Sequence, residues 1–579
     1  MAEKSIVVWG AGRIGRGFVA DLFSAAGYDI ILVDQSQELI AQLRDAGRFT
    51  VVHARNADER DDQVVSGYSA LSTGQTDELA NAIAATDLLA VAVFPQDFPA
   101  VVQQLVPGIT RRRELRPEVA LDIILCANLA HAGARFGELL RDALPPDVQA
   151  YAADHIGIVE SLVIRMVAPP PDEAREREPL LVWTNGFSEF LVDGHAFKGD
   201  APNLPGLRLV ADMRAEETRK LYTYNTFHAA LAYLGAPRGH DLIVDCLADP
   251  EVRTDVEGIL EEASLALQAE YGFSADDMAR WTDRVLAQTD NPTLGDRVSR
   301  HGADPRRKLK RIDRLVGPAL LAGKHGVDTP HLVRAIAAGF LFRNPDDPGA
   351  AYVQQRVSEA GMHVAVRQVC ELTNAEGDLV AAIVEAYHRL VLEAEWARLA
   401  DHAEELGFQY EKRYHGCGQC VLAAILETID RFDESVFRAA TPLAGGLGMV
   451  GDATCAALIG GVMAFGLVYP RCRDRFDGDR DNKYRTYDMA RRLRQRYLDT
   501  YGSVTCDDIH RRLMGRAFNL LDPADLEAFE AAGAHDDKCT NVVARAARWS
   551  VEIIGEELIE DELMAREQAA ASSGKGQAS

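Results

Sequence analysis

The sequence predicts an α/β domain with a doubly wound, mainly parallel sheet, then an all-α domain, then an all-α cysteine-rich C-terminal domain. Three observations predict it. Residues 1 to about 200 alternate apolar runs with helical segments, as strands joined by crossover helices do. Residues from about 201 to 403 carry apolar positions at helical spacing almost throughout, interrupted at Pro237, Pro250, Pro292, Pro330 and Pro345. Residues 404–565 hold six of the nine cysteines: Cys417, Cys420, Cys455, Cys472, Cys506 and Cys539. The final stretch, 566–579, includes AAASSGKGQAS, has few bulky apolar residues and is expected to be disordered.

The first elements are written in SIVVWGAGRIGRGFVADLFSAAGYDIILVDQ. An apolar run enters Gly10, Gly12 and Gly15, a helical pattern follows, and a second apolar run ends at Asp34. Strand, glycine turn, helix, strand and terminal acid in that order form a dinucleotide-binding fingerprint. Gly10 permits the tight turn, Gly12 lets the backbone approach a diphosphate and Gly15 lets the helix pack on the strand. Arg13 and Ile14 complete the cofactor-binding loop. Asp34 accepts hydrogen bonds from ribose hydroxyls and repels a 2′-phosphate, and Gln35 supplies no compensating charge, so NAD is expected over NADP. Further strands are expected at LLAVAVF, VALDIILC and LLVWTN.

In the all-α region, Leu221, Tyr224, Phe227, Leu231 and Leu234 recur at helical spacing and the pattern stops at Gly235-Ala236-Pro237, which predicts one helix over Ala215–Leu234. Lys220, Asn225 and His228 lie on it. At about 100° per residue, Asn225 is about 140° and His228 about 80° around from Lys220, so all three can line one wall of a cleft. A lysine with a lowered pKa can take the proton of an alcohol while an amide holds the developing alkoxide. Spacing alone fits equally a surface lysine, a capping asparagine and a core histidine. The dinucleotide fingerprint ahead of the trio favours alcohol oxidation.

At these residues the chain resembles the mannitol dehydrogenase family of polyol-specific long-chain dehydrogenases. GAGRIGRGF, FSEFLVDGHAFKG (187–199), ETRKLYTYNTFHA (217–229) and DPRRKLKRIDRLVGPA (304–319) are similar to its mannitol-1-phosphate 5-dehydrogenase branch, in the same order, over residues 1 to about 403. The resemblance implies that Lys220 is the base, that Asn225 and Asn128 hold the alkoxide, and that His228 binds a substrate hydroxyl or orients Lys220. It further implies that Arg300 and Lys308 bind substrate, within a basic stretch that also contains Arg297, Arg306, Arg307, Lys310 and Arg311. The implied reaction is D-mannitol 1-phosphate with NAD giving D-fructose 6-phosphate, between a Rossmann domain (1–200) and a helical substrate domain (201–403). Another sugar alcohol or sugar acid is the enzymatic alternative, and an NAD(H)-binding redox or metal sensor the non-enzymatic one. Two departures stand out: Ile164 precedes Arg165 where the family commonly has an acid, with Glu160 nearby, and the bulky Phe227 precedes His228.

HGCGQC, LAGGLGMVGDATCAALIGGVMAFGL, GSVTCDDI and DDKCTNVV resemble the C-GCAxxG-C-C family of cysteine-rich helical modules, for which redox activity is implied. Cys417, Cys455, Cys506 and Cys539 match its recurring cysteines; Cys420 and Cys472 are extra. Val421 after CGQC does not support covalent haem attachment. A redox-active thiol pair, a metal or iron-sulfur cluster, and simple packing all remain open. A formal net charge of -26 argues against a nucleic-acid partner, and the dehydrogenase resemblance implies a small-molecule one, a phosphorylated polyol. The apolar stretch Ala453–Tyr469 falls short of the roughly 20 residues of a membrane span and is expected as a buried helix. Met1 to Lys4 leads directly into the first strand, so a cytoplasmic location is expected.

Overall fold

A computed structural model describes residues 4–127 and 131–575. The chain forms two compact units, Met1–Ile383 and Val384–Ser579. In the first, an eight-stranded sheet runs in the order Leu207–Val210, Phe190–Asp193, Ile156–Val163, Leu121–Leu125, Leu88–Val91, Ser5–Trp9, Asp29–Asp34, Ser69–Ser72. The six strands from Ile156–Val163 to Ser69–Ser72 are mutually parallel, with Val7 level with both Ile31 and Leu89. Their order is the doubly wound one in which ligands lie beyond the carboxyl ends of the strands. Phe190–Asp193 returns antiparallel to Ile156–Val163.

Both faces of this sheet are covered, which is why its strands read as unbroken apolar runs rather than alternating ones. Ile6, Val8 and Leu32 enter one core, with Phe18 and Phe23; Val7, Trp9 and Leu89 enter the other, with Phe98 and Phe136. The segment LLVWTN is a strand at Val182–Thr184, but it is not part of the large sheet. It pairs in parallel with Arg48–Ala54 and antiparallel with Val167–Ala168 in a separate four-stranded sheet. A fully buried strand carries no local mark of which sheet will receive it, so the apolar run shows the strand and not its partner.

The region after Val210 in this unit is helical. Its prolines begin helices more than they break them. Pro250 opens Pro250–Tyr271, where the Asp249 side chain accepts from the Glu251 and Val252 amides, and Pro330 opens Pro330–Leu341. The predicted helix around Lys220 is continuous but not uniform: α-helix at Met213–Lys220, a π-helical turn at Leu221–Asn225, then α-helix at Thr226–Gly235.

The second unit is also helical. Its central helix, Ala456–Val468, is the predicted buried one, and no described helix is long and apolar enough to cross a membrane. Glycines let it pack at close range. A Cβ on Gly460 would sit 2.5 Å from the Gly418 carbonyl oxygen, and one on Gly461 2.4 Å from Ser550 Oγ. The last helix, Cys539–Lys575, runs on past Arg566, where composition predicts disorder. Its end is rich in alanine, the strongest helix former, which composition read as merely lacking bulky residues.

Candidate active site and thiol cavity

At the carboxyl end of the parallel sheet, the turn after Trp9 is shaped by contacts that exclude a side chain. Gly10 has φ +96°, and a Cβ there would lie 2.5 Å from the Ala92 carbonyl oxygen. A Cβ on Gly15 would lie 1.9 Å from the Gly10 carbonyl oxygen. Gly12 differs, with no atom within 4 Å of its Cβ position, so this face of the loop is open to a diphosphate. Asp34 ends the neighbouring strand and its carboxylate accepts from the amides of Ala11 and Ser36, both at 2.9 Å. That fixes the acid beside the loop and leaves acceptor capacity for a ribose. Arg13 is exposed and Ile14 half-buried in the same loop. Arg16, which sequence reasoning gave no role, is buried and donates from Nε to the Ala11 carbonyl at 2.8 Å, tying the loop to the following helix. These residues fit a dinucleotide.

Lys220 approaches the same edge of the sheet. Its Nζ donates to the carbonyl of Val163, the last residue of its strand, at 2.9 Å. Burial, and after it the Arg314 charge, lower its pKa to about 8 against the opposing effect of Glu217. Glu217, one turn earlier, is raised to about 7 by burial and by the neighbouring Glu160. Glu160 accepts from the Gly133 amide at 2.6 Å at the start of a helix. Glu160, the acid noted beside the Ile164 departure, thus bears on Lys220 through Glu217. The Glu217–Lys220 spacing of three was the signal that could have singled out Glu217. Ile164 itself is buried, and Arg165 pairs with buried Asp21.

The π turn changes the geometry expected of a plain α-helix. Its extra residue rotates Asn225 toward the Lys220 face, and π turns recur at functional sites. The half-buried Asn225 amide has no hydrogen-bond partner among the described residues. His228 is buried. Its Nδ1 donates to the Tyr224 carbonyl at 2.7 Å, its Nε2 lies 3.3 Å from the Thr289 hydroxyl, and its ring stacks on His301 at 4.7 Å. Burial, then His301, lower its pKa to about 3, so the ring is neutral with Nε2 as the bare nitrogen. Phe227 is fully buried, edge-on to His228. Asn128 lies outside the described residues.

Arg300 and Lys308 are placed differently from each other. The Arg300 side chain is 61% exposed and pairs with Asp296 at 2.7 Å, while Lys308 is buried and donates to the His301 carbonyl. Burial, Arg314 and Arg307 lower the Lys308 pKa to about 7. Arg314, passed over in the sequence, bears on both Lys220 and Lys308. Its Nε is held by Asp313 at 2.8 Å, and its terminal nitrogens have no partner among the described residues. Of the outer basic residues, Arg307 pairs with Asp304 and Asp313, Lys310 with Glu371 and Arg311 with Glu376.

In the second unit, Cys417, Cys455, Cys506 and Cys539 line one cavity of about 170 Å³ together with Glu411 and His510. Three of the cysteines begin helices, Cys417–Thr428, Ala456–Val468 with Cys455 as its cap, and Cys506–Met514, while Cys539 opens the α-helical part Cys539–Lys575 after the π turn Ala534–Lys538. A bridge between Thr454 and Thr505 sets two of them side by side, with the Cys455 amide on the Val504 carbonyl and the Cys506 amide on the Ala453 carbonyl. Burial raises the Cys417 and Cys539 thiols well above their ordinary pKa, and nearby Glu411 adds to the rise. Cys506 Sγ is 3.5 Å and Cys539 Sγ 3.8 Å from His510 Nε2. Cys420 faces away, its thiol donating to the His415 carbonyl at 3.2 Å, and Cys472 lies in a loop apart from the cavity.

The family described as "Mannitol dehydrogenase Rossmann domain" matches residues 4–206, and "Mannitol dehydrogenase C-terminal domain" matches 212–391. Residues 415–553 match the family described as "Putative redox-active protein (C_GCAxxG_C_C)". Among solved structures, mannitol 2-dehydrogenase from Pseudomonas fluorescens, a ternary complex with NAD and D-mannitol, is 16% identical with a TM-score of 0.53. The match covers 66% of this chain and 91% of that one. A substrate-free D-sorbitol dehydrogenase is 15% identical with a TM-score of 0.56, covering 66% and 95% respectively. At these identities the likeness is one of fold.

Proposed function

From a chain that belongs to the mannitol dehydrogenase family through residues 4–391, and is therefore an oxidoreductase acting on CH–OH groups, we propose an NAD-dependent polyol-phosphate dehydrogenase with D-mannitol 1-phosphate as its substrate. The observation that carries this is Lys220, held on the carboxyl end of the parallel sheet with a pKa of about 8, beside a glycine turn and Asp34. Bound to Gly10–Gly15 and Asp34, NAD would accept the hydride from the carbinol carbon. Lys220 as the free amine takes the hydroxyl proton. Asn225, whose amide is otherwise unpaired, donates to the developing alkoxide together with Asn128. Neutral His228 offers Nε2 as an acceptor for a substrate hydroxyl.

The phosphate reading rests on Arg314 and Lys308, with Arg300 at the exposed rim. Arg314 is tied to Asp313 through Nε but keeps its terminal nitrogens without a partner among the described residues, and buried Lys308, whose pKa is lowered first by burial and then by Arg314 and Arg307, adds a further cation that an anion would complement. We place the enzyme in the cytoplasm. The test is NADH formation by the purified full chain with mannitol 1-phosphate, free mannitol and sorbitol 6-phosphate, each with NAD and NADP. Preference for the phosphorylated substrates that falls at least tenfold in Arg314→Ala supports the phosphate reading. Equal use of free mannitol overturns it while leaving the polyol dehydrogenase standing.

For residues 415–553 the reading is a group of thiols acting together as a redox or metal centre, because four helices deliver four cysteines to one cavity, three of them at helix N-termini. Serine at Cys417 or Cys455 should abolish reversible thiol oxidation, or the binding of any ion that the thiols themselves hold, without loss of dehydrogenase turnover.

A further inference from the structure

The exposed side of the thiol cavity carries a second set of donors that the cysteine motif does not include. His415 and His535 line the cavity, and Glu530 faces His535. Ligand atoms of His415, Glu530 and His535 all lie within 4.8 Å of one another, which no other group of three His, Cys, Asp or Glu does among the described residues. As the chain stands, the four cavity sulfurs are not gathered to that degree, whereas this trio is.

The surroundings of His535 are acidic on two sides. Its Nδ1 is 2.8 and 2.9 Å from the two Glu530 oxygens, and its Nε2 is 3.7 Å from Glu411 Oε1. The Glu411 side chain is only 3% exposed, and its Oε2 has no hydrogen-bond partner among the described residues. With an ion on the Glu530 side, His535 would ligate through one nitrogen and present the other toward Glu411, the carboxylate–histidine–metal arrangement that orients metal ligands. The His415 ring stands edge-on to His535 at 3.8 Å between centroids, which brings the second imidazole to the same point.

We propose that His415, His535 and Glu530 bind one divalent transition-metal ion at the edge of the thiol cavity, with Glu411 as the residue that positions His535. Two imidazoles and one carboxylate suit zinc or iron(II), and three protein ligands leave coordination positions open, as in reactive rather than purely structural sites. The inference does not depend on the dehydrogenase reading.

The experiment uses the full chain, reduced and stripped by chelation, titrated with Co²⁺ and followed by its visible ligand-field absorption. One equivalent should bind saturably and be displaced by Zn²⁺. His415→Ala and His535→Ala should each weaken binding at least tenfold, Glu411→Gln by about 10- to 100-fold, and Cys472→Ser not at all. Circular dichroism of each variant establishes that it is folded, and His535→Gln repeats the test with a side chain of similar size. Absence of saturable Co²⁺ binding by the folded wild-type chain overturns the proposal. So does binding that the histidine variants keep and Cys417→Ser or Cys455→Ser loses, which would assign the ion to the thiols.

Discussion

Burial acts on Lys220 and on the cavity cysteines in the same physical way and leaves them in opposite chemical states. Removing a group from water disfavours its charged form. For Lys220 that form is the ammonium, so burial lowers the pKa to about 8 and brings the free amine within a unit of neutral pH. For Cys417, Cys455, Cys506 and Cys539 it is the thiolate, so burial raises every one of them and keeps them protonated. The lysine is prepared to react by its surroundings alone. The thiols wait for something that removes their protons, an oxidant or a cation. Three helix N-termini favour negative charge at Cys417, Cys455 and Cys506 but do not outweigh burial.

The sharpest break in this contrast is removal of the amine. Lys220→Ala should lower turnover by at least about 10²-fold, the low end for loss of a general base, with NAD affinity nearly unchanged by calorimetry. A second test concerns the thiols. In the metal-free reduced chain, Cys472 should alkylate at pH 8 at least about tenfold faster than the four cavity cysteines, read by mass spectrometry of peptides. Fast labelling of Cys417 or Cys455 would show that the cavity is not dry.

The tuning itself can be moved. Alcohol oxidation should rise with pH through about 8 as Lys220 becomes free amine and level off above it, while the reverse reduction falls over the same interval. Because Glu217 raises the Lys220 pKa and Arg314 lowers it, Glu217→Gln should shift the midpoint down and Arg314→Ala should shift it up. The smallest effect is expected at Asp34→Ala, which should relax the preference for NAD over NADP and weaken NAD binding, measured as the ratio of kcat/KM values.

How much of this was legible in sequence differs between the same two regions. Gly10, Gly15 and Asp34 were readable because their roles are local, a turn and a strand end. Lys220, Asn225 and His228 were readable as one helix, but the π turn between them shifts hydrogen bonds without leaving a compositional mark. Arg314 was hidden in a run of basic residues, and only packing separates it from Lys310 and Arg311, because it is the one whose charge bears on both Lys220 and Lys308. In the second unit the cysteines announced themselves, but their shared cavity did not, because it is made by tertiary contacts between distant helices. His415 and His535 were passed over because they stand 120 positions apart, and HGCGQC drew notice for its cysteines rather than for its leading histidine.

The spread of the cavity along the chain has a consequence for biosynthesis. Cys417 and Cys420 are made early, three residues apart, and the helix that begins at Cys539 arrives last. Until it docks, the earlier sulfurs have no enclosure, and the nearest pair on the nascent chain is the one most easily oxidised to a wrong bridge. The folded unit turns Cys420 toward the His415 carbonyl and Cys417 into the cavity, so the two sulfurs are parted once the last helix is in place. A ribosome paused before codon 539 would hold the module at its most vulnerable moment.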